Sequence, residues 1–264
     1  MIPKKIHYCW FGKNPKSDVI KECIDSWKRF CPDYEIIEWN EDNFDFSGCQ
    51  YAKEAYESKK WAFVSDYVRI WVLYHEGGVY FDTDVEVIKP IDALLENKAF
   101  MGFEHGGGVN TGLVAGAEAG VAFLKELIDF YEKRTFIKSD GSLDMTTCVT
   151  YTTDLLKDKG LQIVDDIQVI DGITIYPVEY FCPLNQFTGQ LNITDNSYSI
   201  HKYDGAWAGE TVRYGYHLKW EYISRFGVHL GKVLYLIPYS IYIIKNDGWK
   251  AFFDKFFGKL KKGN

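Results

Sequence analysis

The sequence predicts an α/β fold, a mixed sheet flanked by helices. Two observations carry that expectation. The chain opens strand–helix–strand: an apolar run Ile6–Trp10, a helically spaced set Val19, Ile20, Cys23, Ile24 and Trp27 between Ser17 and Phe30, and a second apolar run in YEIIEW. Further on, a long helical stretch stops at Gly77-Gly78 and gives way to another short apolar run.

Each later element follows from the same signals. CQYAKEAYESKKWAFVSDYVRIWVLYHEGG reads as mostly helical, with the paired glycines as its C-cap. Strands are expected at Val79–Asp82 and Val85–Ile88, the second closed by Pro90. KAFMGFE and GVNTGLVAG read as strands around the Gly106–Gly108 loop. Helices are expected over Ala117–Lys133 and Asp144–Lys159, with short strands near Ile163, Val169 and Ile175. No internal repeat or low-complexity linker interrupts the chain.

Composition narrows the function classes. The 264 residues suffice for one large core or two small ones. A net charge of −7 argues against a general nucleic-acid binder. Aromatics at 17% exceed what a core needs and suit a sugar or nucleobase site as well as packing. The six cysteines include no C-x-x-C pair, and MIPKKIHYCWFGK lacks the apolar core of a signal peptide, so reduced thiols and a cytoplasmic setting are expected. The end of the chain differs. From Lys245 onward six lysines face two aspartates, and Trp249, Phe252, Phe253, Phe256, Phe257 and Leu260 follow helical spacing on one face. That pattern suits an anionic membrane surface, or a helix docked on the protein's own core. VLYLIPYSIYII is too short for the ~20 residues a spanning helix needs. The expected division is a catalytic domain over 1–232 and a membrane-associating segment over 233–264.

The chemistry concentrates in GGVYFDTDVEVIKP. Asp82 and Asp84 at the end of a strand are costly unless paired, and two carboxylates there can converge on a hard cation such as Mg²⁺ or Mn²⁺ shared with phosphate oxygens. An EF-hand fails because Val87 stands where that loop needs glycine. A solvated acidic turn is the bland alternative. A phosphatase of the haloacid dehalogenase type is the chemical one, with Asp82 attacking a phosphoryl group, Asp84 as acid or base, and Asp165-Asp166 as a later acidic motif.

The surroundings separate these readings. Ala62, Ser65, Asp66, Arg69, Gly77, Gly78, Tyr80, Asp82 and Asp84 together resemble the sugar-binding DXD region of glycosyltransferase family 32, which includes Och1-like mannosyltransferases, and the resemblance reaches the clostridial glucosylating toxins. IPKKIHYCWFG resembles that family's opening segment, and HKYDGAW its closing H-x-x-x-x-S-W, with His201 and Trp207 in place and Ala206 where serine is usual.

The resemblance implies a GT-A type, Rossmann-like sheet with ligands at the carboxyl ends of its strands. It also implies a metal-dependent, retaining transfer of a hexose from a nucleotide-diphosphate sugar to a glycan or lipid-linked acceptor. Uridine is favoured over guanosine as the donor's base. Asp66 and Arg69, three apart on one helix, would touch the donor sugar, with Ser65 and Thr83 beside it. Asp84 would bind Mn²⁺ or Mg²⁺ directly, with Asp82 on metal or sugar and His201 as a third ligand. Trp10 would stack on the base or belong to the core, Tyr8 lies on the same strand, and Trp207 would close over the diphosphate. His7, which alternates with Tyr8, is expected to be buried. Asn110 would contact the transferred sugar or be an ordinary turn residue before a strand, and Asp144 is either a helix N-cap or an acceptor contact. A non-catalytic sugar-nucleotide-binding protein would share these features. The expected setting is a bacterial surface-polysaccharide enzyme on the cytoplasmic face of the membrane.

Overall fold

The structure is a computed structural model and describes residues 1–205 and 209–257. The chain divides into two compact units: residues 1–184 with 192–202, and residues 185–191 with 203–264. The expected boundary at 232/233 falls inside the second unit.

In the first unit, β1 (Lys5–Cys9), α1 (Asp18–Phe30) and β2 (Glu35–Trp39) form the expected parallel opening. Ser17 caps α1 through the Ile20 N–H, and Lys28 and Arg29 complement the helix dipole at the far end. The long helical stretch is two helices, α2 (Gln50–Glu57) and α3 (Trp61–Glu76), broken where Lys59 takes a positive φ. β3 (Gly78–Tyr80) runs parallel to β1, and β4 (Val85–Val87) leaves the main sheet. Next come β5 (Ala99–Gly102), β6 (Ala115–Ala117), α4 (Ala122–Glu132), α5 (Cys148–Asp158), β7 (Gln168–Ile170), β8 (Ile173–Tyr176), a single turn α6 (Val178–Phe181) and β9 (Ser199–His201). The seven-stranded order is β2-β1-β3-β6-β5-β8-β7, mixed parallel and antiparallel, as expected from the sequence. β4 and β9 form a separate antiparallel pair.

Several boundaries differ from the sequence reading. GVNTGLVAG is extended only at its end, because Asn110–Leu113 turns back on itself. α4 begins at Ala122, since Ala115–Ala117 is claimed by the sheet. α5 begins at Cys148, behind Thr147, so Asp144 is not its N-cap. Ile163 is exposed loop.

One buried histidine ties the opening strand to the glycine turn. His7 is fully buried, as alternation predicted. Its Nε2–H donates to Gly77 O at 2.8 Å, and its Nδ1 accepts from the Trp39 indole at 3.1 Å. Both bonds require the neutral ring, because a second proton on Nδ1 would face the indole N–H. Gly78 makes room for this staple: its φ is +104°, and a Cβ there would lie 2.8 Å from His7 Nε2 and 2.9 Å from Lys5 O.

The second unit holds α7 (Glu210–Phe226), α8 (Val228–Leu234) and α9 (Leu236–Phe257), the last kinked at Gly248, whose φ is +85°. Its small core is Leu218, Tyr239 and Ile243, against which Tyr222, Tyr235, Phe252 and Phe256 pack. This corrects the expected continuous apolar face. Phe252 and Phe256 turn inward, while Trp249, Phe253 and Phe257 stay exposed. Leu260 lies outside the described residues. No described helix is long and apolar enough to cross a membrane.

Burial lowers the His7 pKa from 6.5 to about 4. The unfolded chain therefore binds a proton that the folded chain refuses between those values. Stability present above pH 6.5 should fall as pH drops toward 4, by about 3 kcal/mol from this group. Denaturation midpoints against pH, with His7→Gln flattening the slope, check this, as does an NMR titration in which the imidazole stays neutral down to about pH 4.

Candidate active site

The Asp82-Thr83-Asp84 stretch is a turn rather than a strand end. Tyr80 is the last residue of β3, Phe81 is buried with its N–H on His7 O, and the Val85 N–H closes back onto Asp82 O at 3.0 Å. The turn thus joins the seven-stranded sheet to the β4–β9 pair. Its far side is anchored by α1: the Trp27 indole donates to Val85 O at 2.7 Å, and Ser26 Oγ accepts from the Val87 N–H at 2.9 Å. Phe81 sits against Trp27, which fixes the turn's middle to the core.

The two carboxylates take different partners. Asp82 Oδ1 accepts from Arg69 Nη2 at 3.1 Å and from the Tyr80 hydroxyl at 3.0 Å. The same Nη2 lies 3.1 Å from Asp66 Oδ1, so one guanidinium bridges both carboxylates. Arg69 Nε donates to Ser65 O, Nη1 points to Cys148 Sγ at 3.7 Å, and the Tyr80 ring lies under the guanidinium at 4.9 Å. Burial opposes ionisation of Asp66 and leaves its pKa raised despite Arg69. The Arg69 and Asp66 side chains are 3% and 9% exposed; that of Asp82 is 29%, which leaves it the group within reach of a ligand. Gly112 makes this placement possible. Its backbone oxygen accepts from the Asp82 N–H at 2.9 Å, and a Cβ there would lie 2.0 Å from Asp82 Oδ2.

Asp84 pairs instead with His201. Nε2 of His201 lies 3.0 Å from Asp84 Oδ1, and the β4–β9 pairing sets the contact: Val85 lies opposite His201, and the Lys202 N–H donates to Asp84 O. Burial works against a charge on His201, but the Asp84 charge and hydrogen bond, with Asp82 and Glu104 behind them, raise its pKa overall.

Glu104 joins this group. Its Oε2 accepts from Asn110 Nδ2 at 2.8 Å, and burial raises its pKa. Asn110 Oδ1 in turn accepts from the Gly112 N–H at 2.7 Å, so one amide orders the loop that cradles Asp82 and also holds Glu104. The glycines before it serve packing: a Cβ at Gly108 would lie 2.3 Å from Val149 Cγ1.

Not every expected residue is brought to the turn. Asp82, Asp84 and His201 do not form one ligand set: among the described residues no three His, Cys, Asp or Glu side chains are placed to hold a metal. The donor set fits a hard cation only as an open site, with Asp84 as the carboxylate, His201 orienting it, and phosphate oxygens completing the shell. Tyr8 is buried, and its hydroxyl is spent on Glu38 at 2.6 Å. Ser65 Oγ bonds back to Trp61 O within its helix. Thr83 is half-exposed at the tip of the turn. Trp10 is half-buried, its indole on Asn14 O and Lys16 over its ring. Asp144 is satisfied by the Thr146 N–H and hydroxyl and by the Tyr151 hydroxyl, so the acceptor role has no support in its surroundings. Trp207 lies outside the described residues. Asp165 accepts from the Val178 N–H at the start of α6, a local bond the phosphatase reading does not require.

Past the carboxyl ends of β1 and β2 lies a cleft of about 420 Å³ lined by Gly12, Lys13, Asn14, Glu41, Tyr56, Lys59 and Trp61. Trp61 opens the helix that carries Asp66 and Arg69; over eight residues that helix rises about 12 Å. A larger cleft of about 570 Å³ between α4 and α5 contains none of the site residues.

Comparison with known proteins meets this site. Residues 17–101 match the family model described as the glycosyltransferase sugar-binding region containing DXD motif. The resemblance read from the motifs is therefore borne out over the segment that holds Asp66, Arg69, Asp82 and Asp84. Two curated relatives come from Schizosaccharomyces pombe (strain 972). Inositol phosphoceramide mannosyltransferase 3 is 30% identical over 48% of this chain and 36% of its own. Inositol phosphoceramide mannosyltransferase 1 is 29% identical over 38% and 33%. The mannosyl phosphorylinositol ceramide synthase SUR1 of Saccharomyces cerevisiae is 29% identical over 52% and 37%. The matches thus span about a third of these relatives' length. Among solved structures, the PaToxG glycosyltransferase overlaps 60% of this chain and 70% of its own at TM-score 0.44 and 17% identity. A glycosyltransferase involved in glycosylating the major capsid of PBCV-1 overlaps 77% and 95% at TM-score 0.45 and 11% identity.

Removing the guanidinium should be costly to the fold itself. Arg69→Met leaves the buried Asp66 carboxylate facing the partly exposed Asp82 with no cation between them and should cost about 3–5 kcal/mol in urea unfolding. Gly112→Ala should displace the Asp82 carboxylate and lower the melting temperature, which thermal unfolding would read.

Proposed function

We propose that the chain is a metal-dependent glycosyltransferase that moves a hexose from a nucleotide-diphosphate sugar to a glycan or lipid-linked acceptor. The observation that carries this reading is the buried Asp66–Arg69–Asp82 bridge beside the Asp84–His201 pair, inside a segment that matches the DXD region. In this reading Asp82 presents its open carboxylate to sugar hydroxyls, and Arg69 holds it there. Asp84, oriented by His201, would hold Mn²⁺ or Mg²⁺. When bound, that ion offsets the charge that grows on a leaving diphosphate. Trp10 and the Gly12–Glu41–Tyr56–Trp61 cleft are the proposed seat of the nucleoside, with a UDP-sugar favoured over a GDP-sugar. Asn110 orders the loop under the transferred sugar and holds Glu104.

The transfer is proposed to retain anomeric configuration, the acceptor's proton passing to the departing diphosphate. If the outcome is inversion, Glu104 is the base, since burial raises its pKa and Asn110 holds its carboxylate in place. The relatives' names describe mannosyl transfer to inositol phosphoceramide, which favours a hexose donor and a lipid-borne acceptor. Bacterial surface-polysaccharide synthesis, at the cytoplasmic face of the membrane, is the proposed setting. Residues 1–232 would be catalytic and 233–264 would contact the bilayer.

Nucleoside diphosphate release from a panel of UDP- and GDP-hexoses with Mn²⁺ tests the reading. One donor should be turned over and, by mass action, should raise the melting temperature. Asp84→Asn should reduce turnover about 10³-fold while far-UV circular dichroism shows the fold retained. No turnover of any donor by a folded protein would sink the proposal, and release of inorganic phosphate from a phosphomonoester would favour the phosphatase instead.

A further inference from the structure

The second unit leaves apolar surface uncovered in a definite pattern. Leu230, Val233, Ile237 and Ile241 fall at i, i+3, i+7 and i+11 along α8 and the first part of α9, one face of the helical run. Each is more than half exposed, from 53% to 64%. The opposite face carries Tyr239 and Ile243, which are buried in the unit's own core, so the exposed stripe is not that core turned outward. From Val233 to Ile244 no residue is charged, and exposed Lys232 and Lys245 flank the run. Beyond the Gly248 kink, Trp249, Phe253 and Phe257 form a second exposed row.

Single exposed apolar residues need no explanation, but aligned rows of this kind mark an interaction surface. Charge says which kind. Residues 203–264 contain ten Lys and Arg against five Asp and Glu, a net +5, which leaves −12 on the rest of the −7 chain. An anionic surface would attract this unit and repel the remainder. The α8–α9 run is also neither long nor apolar enough to cross a bilayer.

We infer that the Leu230–Val233–Ile237–Ile241 stripe is the principal membrane-insertion surface of this protein, lying in the interface of an anionic bilayer with Lys245, at the flank of the stripe, reaching the headgroups. This deepens the proposed membrane association by moving its anchor from the chain's end to the α8–α9 stripe; the Trp249 row is secondary. The sugar-transfer reading can fail without touching it.

Sedimentation of the full-length protein with phosphatidylcholine vesicles, with and without phosphatidylglycerol, tests the inference. The protein should pellet with the anionic vesicles and stay in solution with the neutral ones. Val233→Asp/Ile237→Asp should lower the partition coefficient at least about tenfold, and Trp249→Ala/Phe253→Ala by less. Far-UV circular dichroism and donor turnover in solution serve as fold controls, since these side chains are exposed and remote from the proposed chemistry in sequence. Binding by the stripe variant equal to that of the unaltered protein would overturn the inference, most sharply if the Trp249/Phe253 variant were the one that fails. Failure of the unaltered protein to bind anionic vesicles would overturn both this inference and the membrane reading. Concentration-dependent dimers that Val233→Asp/Ile237→Asp disperses, without vesicle binding, would assign the stripe to a second copy of the chain instead.

Discussion

The site depends on one buried guanidinium. Arg69 sits almost wholly out of water between Asp66 and Asp82, and without it the buried Asp66 carboxylate would face a second carboxylate with no cation between them. Its other nitrogens are spent on Ser65 O and the Cys148 sulfur, and Tyr80 lies under its plane. The arrangement therefore has little freedom to relax. Asp82 is held at the sheet's edge with one oxygen tethered and the other against the Gly112 backbone. Such a carboxylate is pre-organised, so a ligand that engages it meets a group already ordered.

The Asp82–Asp84 turn gains its second role from topology. It is where the chain leaves the seven-stranded sheet for the β4–β9 pair. Asp82 consequently answers to α3 and β3, and Asp84 to His201 on β9, which is 117 residues away in sequence. A plain strand would have sent both side chains to one face with one set of partners. Here one carboxylate is tied to a permanent cation and the other to a titratable ring.

The sequence made much of this legible. The strand–helix–strand opening, the Gly77-Gly78 stop and the burial of His7 follow from periodicity and alternation. Asp66 and Arg69 could be paired from their spacing on α3, and the motif block pointed to Asp82 and Asp84. What was not legible depended on tertiary partners. The break at Lys59 is a local φ choice inside a pattern that otherwise reads as helix. The service of Gly112 to Asp82 leaves no mark in TGLVAG, and the Cys148 contact with Arg69 spans 79 residues. Asp144 could be read from sequence as a helix N-cap or an acceptor contact, but Tyr151 and Thr146 satisfy it. Phe252 and Phe256 fitted a continuous amphipathic stripe until the small core of the second unit claimed them.

The role proposed for the Asp82–Asp84 turn is to receive the diphosphate of a sugar nucleotide with a cation on Asp84. A crystal structure with a uridine or guanosine diphosphate and Mn²⁺ tests it most directly, because the anomalous signal locates the ion independently of the nucleotide. An anomalous peak within bonding distance of an Asp84 carboxylate oxygen, with a base near Trp10 and Trp61, is the expected result. A nucleotide bound away from the turn, or a peak with no contact to Asp84, would contradict it.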